Sequence, residues 1–255
     1  MISRSLILAA VAIVALTAAQ ARGQACGCGD AHATQDGTVA RSPTRPADEG
    51  RGPFKRLILR GVTVVDGTGA PPRGPMDVVI EGNRIAEIRS VGSPGLPVEA
   101  SRRPQAGPGD EVLELAGHYL LPGFVDMHGH MGGAPQGAGA EYVFKLWMGH
   151  GITTIRDPAC GNGLDWALEH RERSARNEIT APRIHAYPVF GAGEKDPITT
   201  VAGAEAWVDK VKKQGADGVK FFGYRPDIME AALRAIAEAG LRSACHHAQM
   251  DVSRV

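Results

Sequence analysis

The run YLLPGFVDMHGHM, residues 119–131, divides the chain into two kinds of sequence. Upstream of it, RLILRGVTVVDGTG, MDVVIEGNRIAEIRS and EVLELAGHYLLPGF are rich in β-branched residues and broken by Gly, Asn and Pro. The first reads as a strand, a turn or bulge, and a second strand. The second reads as a hairpin reversing at EGN, and the third adds a strand pair. No helical periodicity of any length occurs there, so residues 55–118 are expected to form a small β-module. Downstream, GFVDMH, GITTIRD, PRIHAYPVF, DGVKFFGY and LRSACHH alternate with AEYVFKLWMGH, LDWALEHRERSAR, GAEAWVDKVKKQ and PDIMEAALRAIAEAG. In the third of these helices, Trp207, Val208 and Val211 mark an apolar stripe opposite Lys210, Lys212 and Lys213, a solvated face. Repeated β-α order implies a parallel sheet buried under helices. The fold class is α/β, and five units fit either an open sheet or an unfinished (β/α)8 barrel.

His128 and His130 close the first strand of the second region. Side chains alternate along a strand, so the two histidines share a side. At the C-terminal end of a barrel strand both would point into the mouth where such folds place their chemistry, a suitable way to hold one metal. The pair alone leaves a second reading open, two polar residues in a loop.

The composition is that of a globular protein, 43% hydrophobic and 22% charged. The 28 basic and 28 acidic residues cancel, which argues against a nucleic-acid-binding surface. At the N-terminus, Arg4, the apolar run LILAAVAIVAL and the small-x-small AQA of residues 19–21 read as an export signal cleaved after Ala21. The run is shorter than the ~20 residues of a spanning helix, so stable membrane insertion is not expected. Export implies a periplasmic or secreted protein. Residues 22–54, rich in Gly, Pro, Ala, Arg and Asp, read as a disordered lead-in, with structure beginning at Phe54. Cys26 and Cys28 fall in it, and a lone C-x-C is poor evidence for zinc.

The run HYLLPGFVDMHGH, preceded by VTVVDGTG and VVIEGNRIAEI, resembles the metal-dependent amidohydrolase superfamily. More narrowly, it is similar to its imidazolonepropionase-like and Xaa-Pro-dipeptidase-like branch. The likeness runs from about residue 56 to the end, through GITTIRD, APRI, GADGVKFF and HHAQMDVSRV. It implies a barrel whose H-x-H pair, His128 and His130, binds one of two divalent ions, zinc by expectation. A carboxylated lysine on the fourth strand, Lys220 here, bridges them. A lysine inside an apolar strand is costly to bury unless paired or neutralised, and a carbamate would turn it into an oxygen donor; the alternative is that Lys220 snorkels to solvent. On the fifth strand the implied ligand is His246, with His247 as the alternative. His150 and His170 read as surface residues, and His185 either lines the pocket or fills the barrel.

The resemblance also implies a histidine on strand six and a proton-shuttling aspartate on strand eight, for which this sequence has no counterpart. From Tyr119 the chain is well short of the ~250 residues of a full barrel. The expectation is therefore about five βα units of an incomplete (β/α)8 TIM barrel, residues 119–255, lacking the C-terminal barrel strands. Asp126 and Asp157, on the first two strands, do not replace the aspartate. The implied function is hydrolysis of amide, cyclic amide or related C–N bonds in small molecules or dipeptides by metal-activated hydroxide. The alternative is a non-catalytic half-barrel, a metal-binding remnant or an assembly partner whose open sheet edges invite pairing with another chain or a second copy.

Overall fold

The computed structural model describes residues 40–132 and 138–246. The export signal, Cys26, Cys28 and His247 lie outside the described residues.

The first unit is a five-stranded sheet of β1 (Arg56–Val64), β2 (Arg73–Glu81), β3 (Arg84–Ser90), β4 (Glu111–Glu114) and β5 (Tyr119–Leu120). β1 to β3 are antiparallel neighbours, and the β2–β3 hairpin reverses at EGN, with Gly82 at φ +57°. RLILRGVTV is one bulged strand rather than two: its register slips between Leu59 and Val62. The bulge frees the Gly61 N–H, which donates to Oδ1 of the fully buried Asp77 at 2.8 Å, while Arg103 Nε stands 3.9 Å from its Oδ2. The expected strand pair in EVLELAGHYLLPGF is instead two segments, β4 and β5, that lie successively along β1 in parallel. Val62, Val64, Met76 and Val78 form the core of this unit with Leu113, Leu115 and Leu120.

The second unit alternates strand and helix without exception: β6 (Phe124–Asp126), α1 (Ala140–Gly149), β7 (Ile152–Asp157), α2 (Leu164–Ala175), β8 (Arg183–Ala186), α3 (Val201–Gln214), β9 (Gly218–Phe221), α4 (Pro226–Glu238) and β10 (Arg242–Cys245). β6, β7 and β8 pair in parallel, as do β9 and β10. A parallel bridge between Val189 and Lys220, with Lys220 N–H donating to the Pro188 carbonyl, joins the two groups. The result is five parallel strands in chain order, and they do not close into a barrel among the described residues. Helix termini follow local chemistry. Thr200 caps α3 by accepting the Gly203 N–H, Gly215 ends it in the left-handed region at φ +103°, and Pro226 opens α4. The α3 stripe is as read: Trp207, Val208 and Val211 are buried with Phe221 and Ile228. The other face of the sheet is open at Phe222, beside Lys220, and the edge residues Val125 and Met127 are also more than half exposed. Among the described residues no helix is long and apolar enough to cross a membrane.

Two sequence expectations need correction. Residues 40–54 are not an unattached lead-in. Arg45 N–H donates to the Glu178 carbonyl, Glu49 accepts from Lys145 and Thr180, and Ser42 is buried. The docking uses backbone groups and isolated polar side chains, which leave no hydrophobic period to read. His170 is not a surface residue; it is fully buried, stacked on Trp166 at 3.7 Å. Its Nδ1 donates to the Trp166 carbonyl at 2.8 Å and its Nε2 accepts the Ser42 N–H at 3.0 Å. This pairing requires a neutral ring with the proton on Nδ1.

Burial pushes the His170 imidazole below the ordinary histidine range, the Trp166 carbonyl opposes this, Arg173 and Arg41 add to the lowering, and Glu169 opposes it. Below the unfolded value of about 6.5 the unfolded chain takes up a proton that the folded chain refuses, so stability falls with pH until the folded value is passed. His170→Gln, able to donate and accept at the same places, is expected to flatten the acid side of a Tm-against-pH curve. An unchanged slope between about pH 7 and 5 would rule the role out.

Candidate metal centre

The loop after β6 begins with an Asx-type turn in which Asp126 Oδ1 accepts the His128 N–H at 2.8 Å. Gly129 N–H then donates to the Arg156 carbonyl at 3.0 Å, which carries the pairing to β7 past the end of β6. A Cβ on Gly129 would stand 2.9 Å from Trp147 Cζ2 and 3.4 Å from Ile155 Cβ, against the helix-side core. That position admits only glycine without displacing the Trp147 ring. β6 ends at Asp126, so His128 and His130 stand in the turn that follows the strand and do not close the strand itself as expected from the sequence; their rings meet edge to face at 5.2 Å.

Asp157, at the end of β7, is almost fully buried and its Oδ1 lies 3.2 Å from His130 Nδ1. Burial raises its carboxyl above the usual range, and His130 and the Ala159 and Cys160 N–H groups pull it back. With Nδ1 held by the carboxylate, Nε2 is the His130 nitrogen left for a cation, the usual arrangement of a ligating histidine. Sequence reasoning passed over Asp157 in this role because only the fold brings the end of β7 to the loop after β6. Its signal was an acidic residue closing an apolar strand, TTIRD. The His128 imidazole is held below its ordinary range, first by burial and then by the neighbouring His130, Lys220, Arg156 and His246. A neutral imidazole is the form that binds metal.

Across the sheet, Lys220 is 3% exposed, so it does not snorkel. Among the described residues its amine has neither a hydrogen bond nor a carboxylate partner; it lies 5.3 Å from the centre of the Phe222 ring. Burial lowers its pKa, Arg156 adds to this and Cys245 opposes it. His246 follows β10, its N–H donating to the Phe221 carbonyl and its ring edge to face with Phe222 at 5.2 Å. Lys220 and His246 thus share one aromatic neighbour.

The four expected ligands form two groups, His128 with His130 and Lys220 with His246. Among the described residues no three His, Cys, Asp or Glu side chains converge closely enough to hold a metal. β6 and β10 are the outer strands of the open sheet, yet Lys220 and His246 still act electrostatically on His128. His247, the alternative on β10, lies outside the described residues. His185 belongs to neither group. Its Nδ1 is 3.7 Å from Asp217, which also pairs with Arg171 near the opposite end of the strands.

No family model matches the chain. In sequence it is similar to an N-acyl-D-glutamate deacylase from Alcaligenes xylosoxydans xylosoxydans, 38% identical over 74 residues, which are 29% of this chain and 12% of that one. In fold it is similar to a Xaa-Pro dipeptidase solved with methionine in its active site, at a TM-score of 0.55 and 22% identity. The match covers 75% of this chain and 56% of that one. A solved amidohydrolase matches over the same shares at a TM-score of 0.57 and 15% identity. These proteins, and a dihydroorotase from Mycobacterium tuberculosis that is 25% identical over 182 residues, are hydrolytic enzymes of the amidohydrolase superfamily. The chain spans little more than half the length of these solved neighbours, and its match to the deacylase covers 12% of that protein.

Proposed function

We propose that this chain carries the first five βα units of a metal-dependent hydrolase that cleaves amide, cyclic amide or related C–N bonds in small molecules or dipeptides. The observation that carries the reading is Lys220, a buried amine with no carboxylate partner among the described residues, on the open face of a parallel sheet whose outer strand leads into a paired, oriented H-x-H. A buried unpaired ammonium is unfavourable, and the uncharged amine is the form whose lone pair attacks carbon dioxide and, on losing a proton, becomes a carbamate.

The donor set fits a pair of divalent ions, zinc in our reading. His128 and His130 would hold one, a carboxylated Lys220 would lie between the two, and His246 would serve the other. Such ions supply a water of lowered pKa and polarisation of the scissile carbonyl. The chain's own residues have narrower tasks. Asp157 fixes the His130 tautomer, Asp126 shapes the turn, and the shielding of Lys220 favours its uncharged form. The Gly-rich loops MGGAPQGAGAE, PACGNG, GAGEKDPI and GYRPD would contact substrate. Export with cleavage after Ala21 belongs to the same proposal, and the N-terminal sequence of the mature protein checks it.

The open face supports a second reading, a non-catalytic half-barrel or assembly partner, because Phe124, Val125 and Met127 stand exposed on the outer strand. Elemental analysis of the full chain, prepared with zinc and bicarbonate, separates the two. Stoichiometric zinc that is lost in His128→Ala/His130→Ala supports the metal centre. A folded chain without bound zinc, inactive on an amide panel, refutes it and leaves the half-barrel.

A further inference from the structure

Arg156 is the inward neighbour of Ile155, which packs into the helix-side core, so alternation along β7 places Arg156 on the open face. It grips the turn around His128 from both sides. Its carbonyl accepts the Gly129 N–H at 3.0 Å and its Nε donates to the Met127 carbonyl at 2.7 Å. Its guanidinium lies over the Tyr187 ring, 5.4 Å from the centroid. Among the described residues no carboxylate pairs with it. Tyr187 is itself nearly buried, and its ring occupies the place a Cβ on Gly218 would take. Gly218 is two residues before Lys220, hence on the same face of β9.

These contacts form one connected path: the His128 turn, Arg156, Tyr187, β9. Each touches the chain just before a candidate ligand, at Met127 before His128 and at Gly218 before Lys220, so the pair lies beneath the ligand groups and not in the mouth where substrate would enter. The planar fork of arginine suits this place, since it can donate along its edge to a carbonyl while lying flat on an aromatic face.

We propose that Arg156 and Tyr187 are positioning residues that set the spacing of His128 from Lys220. The inference rests on the metal-centre reading above and assigns no contact with substrate. The outer supports of a metal site typically contribute about 10- to 100-fold in affinity. In the full chain titrated with cobalt(II), Arg156→Ala and Tyr187→Leu are therefore expected to weaken binding by about that factor and to alter the visible cobalt spectrum. Tyr187→Phe, which keeps the ring, should retain the wild-type spectrum. A folded Arg156→Ala with unchanged affinity and spectrum overturns the proposal.

If Arg156→Ala does not fold, Arg156→Lys decides. It keeps the charge but cannot hold the carbonyl and lie flat on the ring, so unchanged cobalt binding again overturns the proposal. If the wild-type chain takes up no cobalt, the metal-centre reading fails separately. Amide exchange at Gly129 then decides the positioning role: faster exchange in Arg156→Lys than in wild type supports it, and equal exchange overturns it.

Discussion

Lys220→Met is expected to raise the melting temperature of the chain and, in the same protein, to abolish loading of the metal pair. The two effects have one cause. Lys220 is buried beside Phe222 with no carboxylate among the described residues to offset its desolvation, and Arg156 on the same face adds repulsion. Its folded pKa is lowered, so between that value and the unfolded ~10.4 the unfolded chain holds more protons. Stability must therefore rise with pH across that window and carry the full penalty below it. Methionine has nearly the same length and no charge. Removing such a penalty is typically worth ~0.5–2 kcal/mol, or about 2–4 °C in Tm for each kcal/mol in a domain of this size. The same substitution deletes the amine that would be carboxylated, so metal stoichiometry should fall and lose its dependence on bicarbonate. Thermal melts and elemental analysis of both proteins provide the check. Unchanged Tm with unchanged stoichiometry would remove Lys220 from the site.

Trp207→Ala is expected to be the most damaging single change in the second unit. The Trp207 ring is 2% exposed, meets Phe190 edge to face at 5.1 Å, and donates from Nε1 to the Ala192 carbonyl at 3.1 Å. Truncating a buried tryptophan typically costs about 3–5 kcal/mol, against a total stability of roughly 5–15 kcal/mol for a domain. Phe190 also stacks on Phe221, the residue after Lys220. The cavity would therefore loosen β9 as well as α3. Lys213→Ala, exposed on the opposite face of the same helix, should stay within about ±0.5 kcal/mol. Urea denaturation of the three proteins measures this, and comparable midpoints for the two variants would contradict the account of the α3 stripe.

The regular elements were legible because their causes are local. Period-two runs before residue 119, the β-α alternation after it, and the α3 stripe all follow from burial of one face of each element. The nearness of His128 and His130 has another cause than strand alternation, since both stand in the turn after β6, where Gly129 between them faces Trp147 and leaves no room for a side chain. The bulge in β1 was less clear, since a glycine within a strand pattern fits a turn equally well. Asp77, sixteen residues away, settles it by binding the freed Gly61 N–H.

What escaped the sequence are the contacts between distant segments. His170 looked like one polar residue on a charged helix; it is buried because Ser42, 128 positions earlier, supplies the N–H that its ring accepts. Asp157 and Arg156 read as the polar end of a strand, yet one orients His130 and the other holds the turn around His128. The sequence by itself determined the order of strands and helices, because this depends on spacing along the chain. Only the tertiary structure decided that residues 40–54 pack on the helices, that Lys220 is buried without a carboxylate partner among the described residues, and that the two ligand groups stand at separate strands of an open sheet. Those outcomes depend on which segments meet, and no local period in the sequence encodes that meeting.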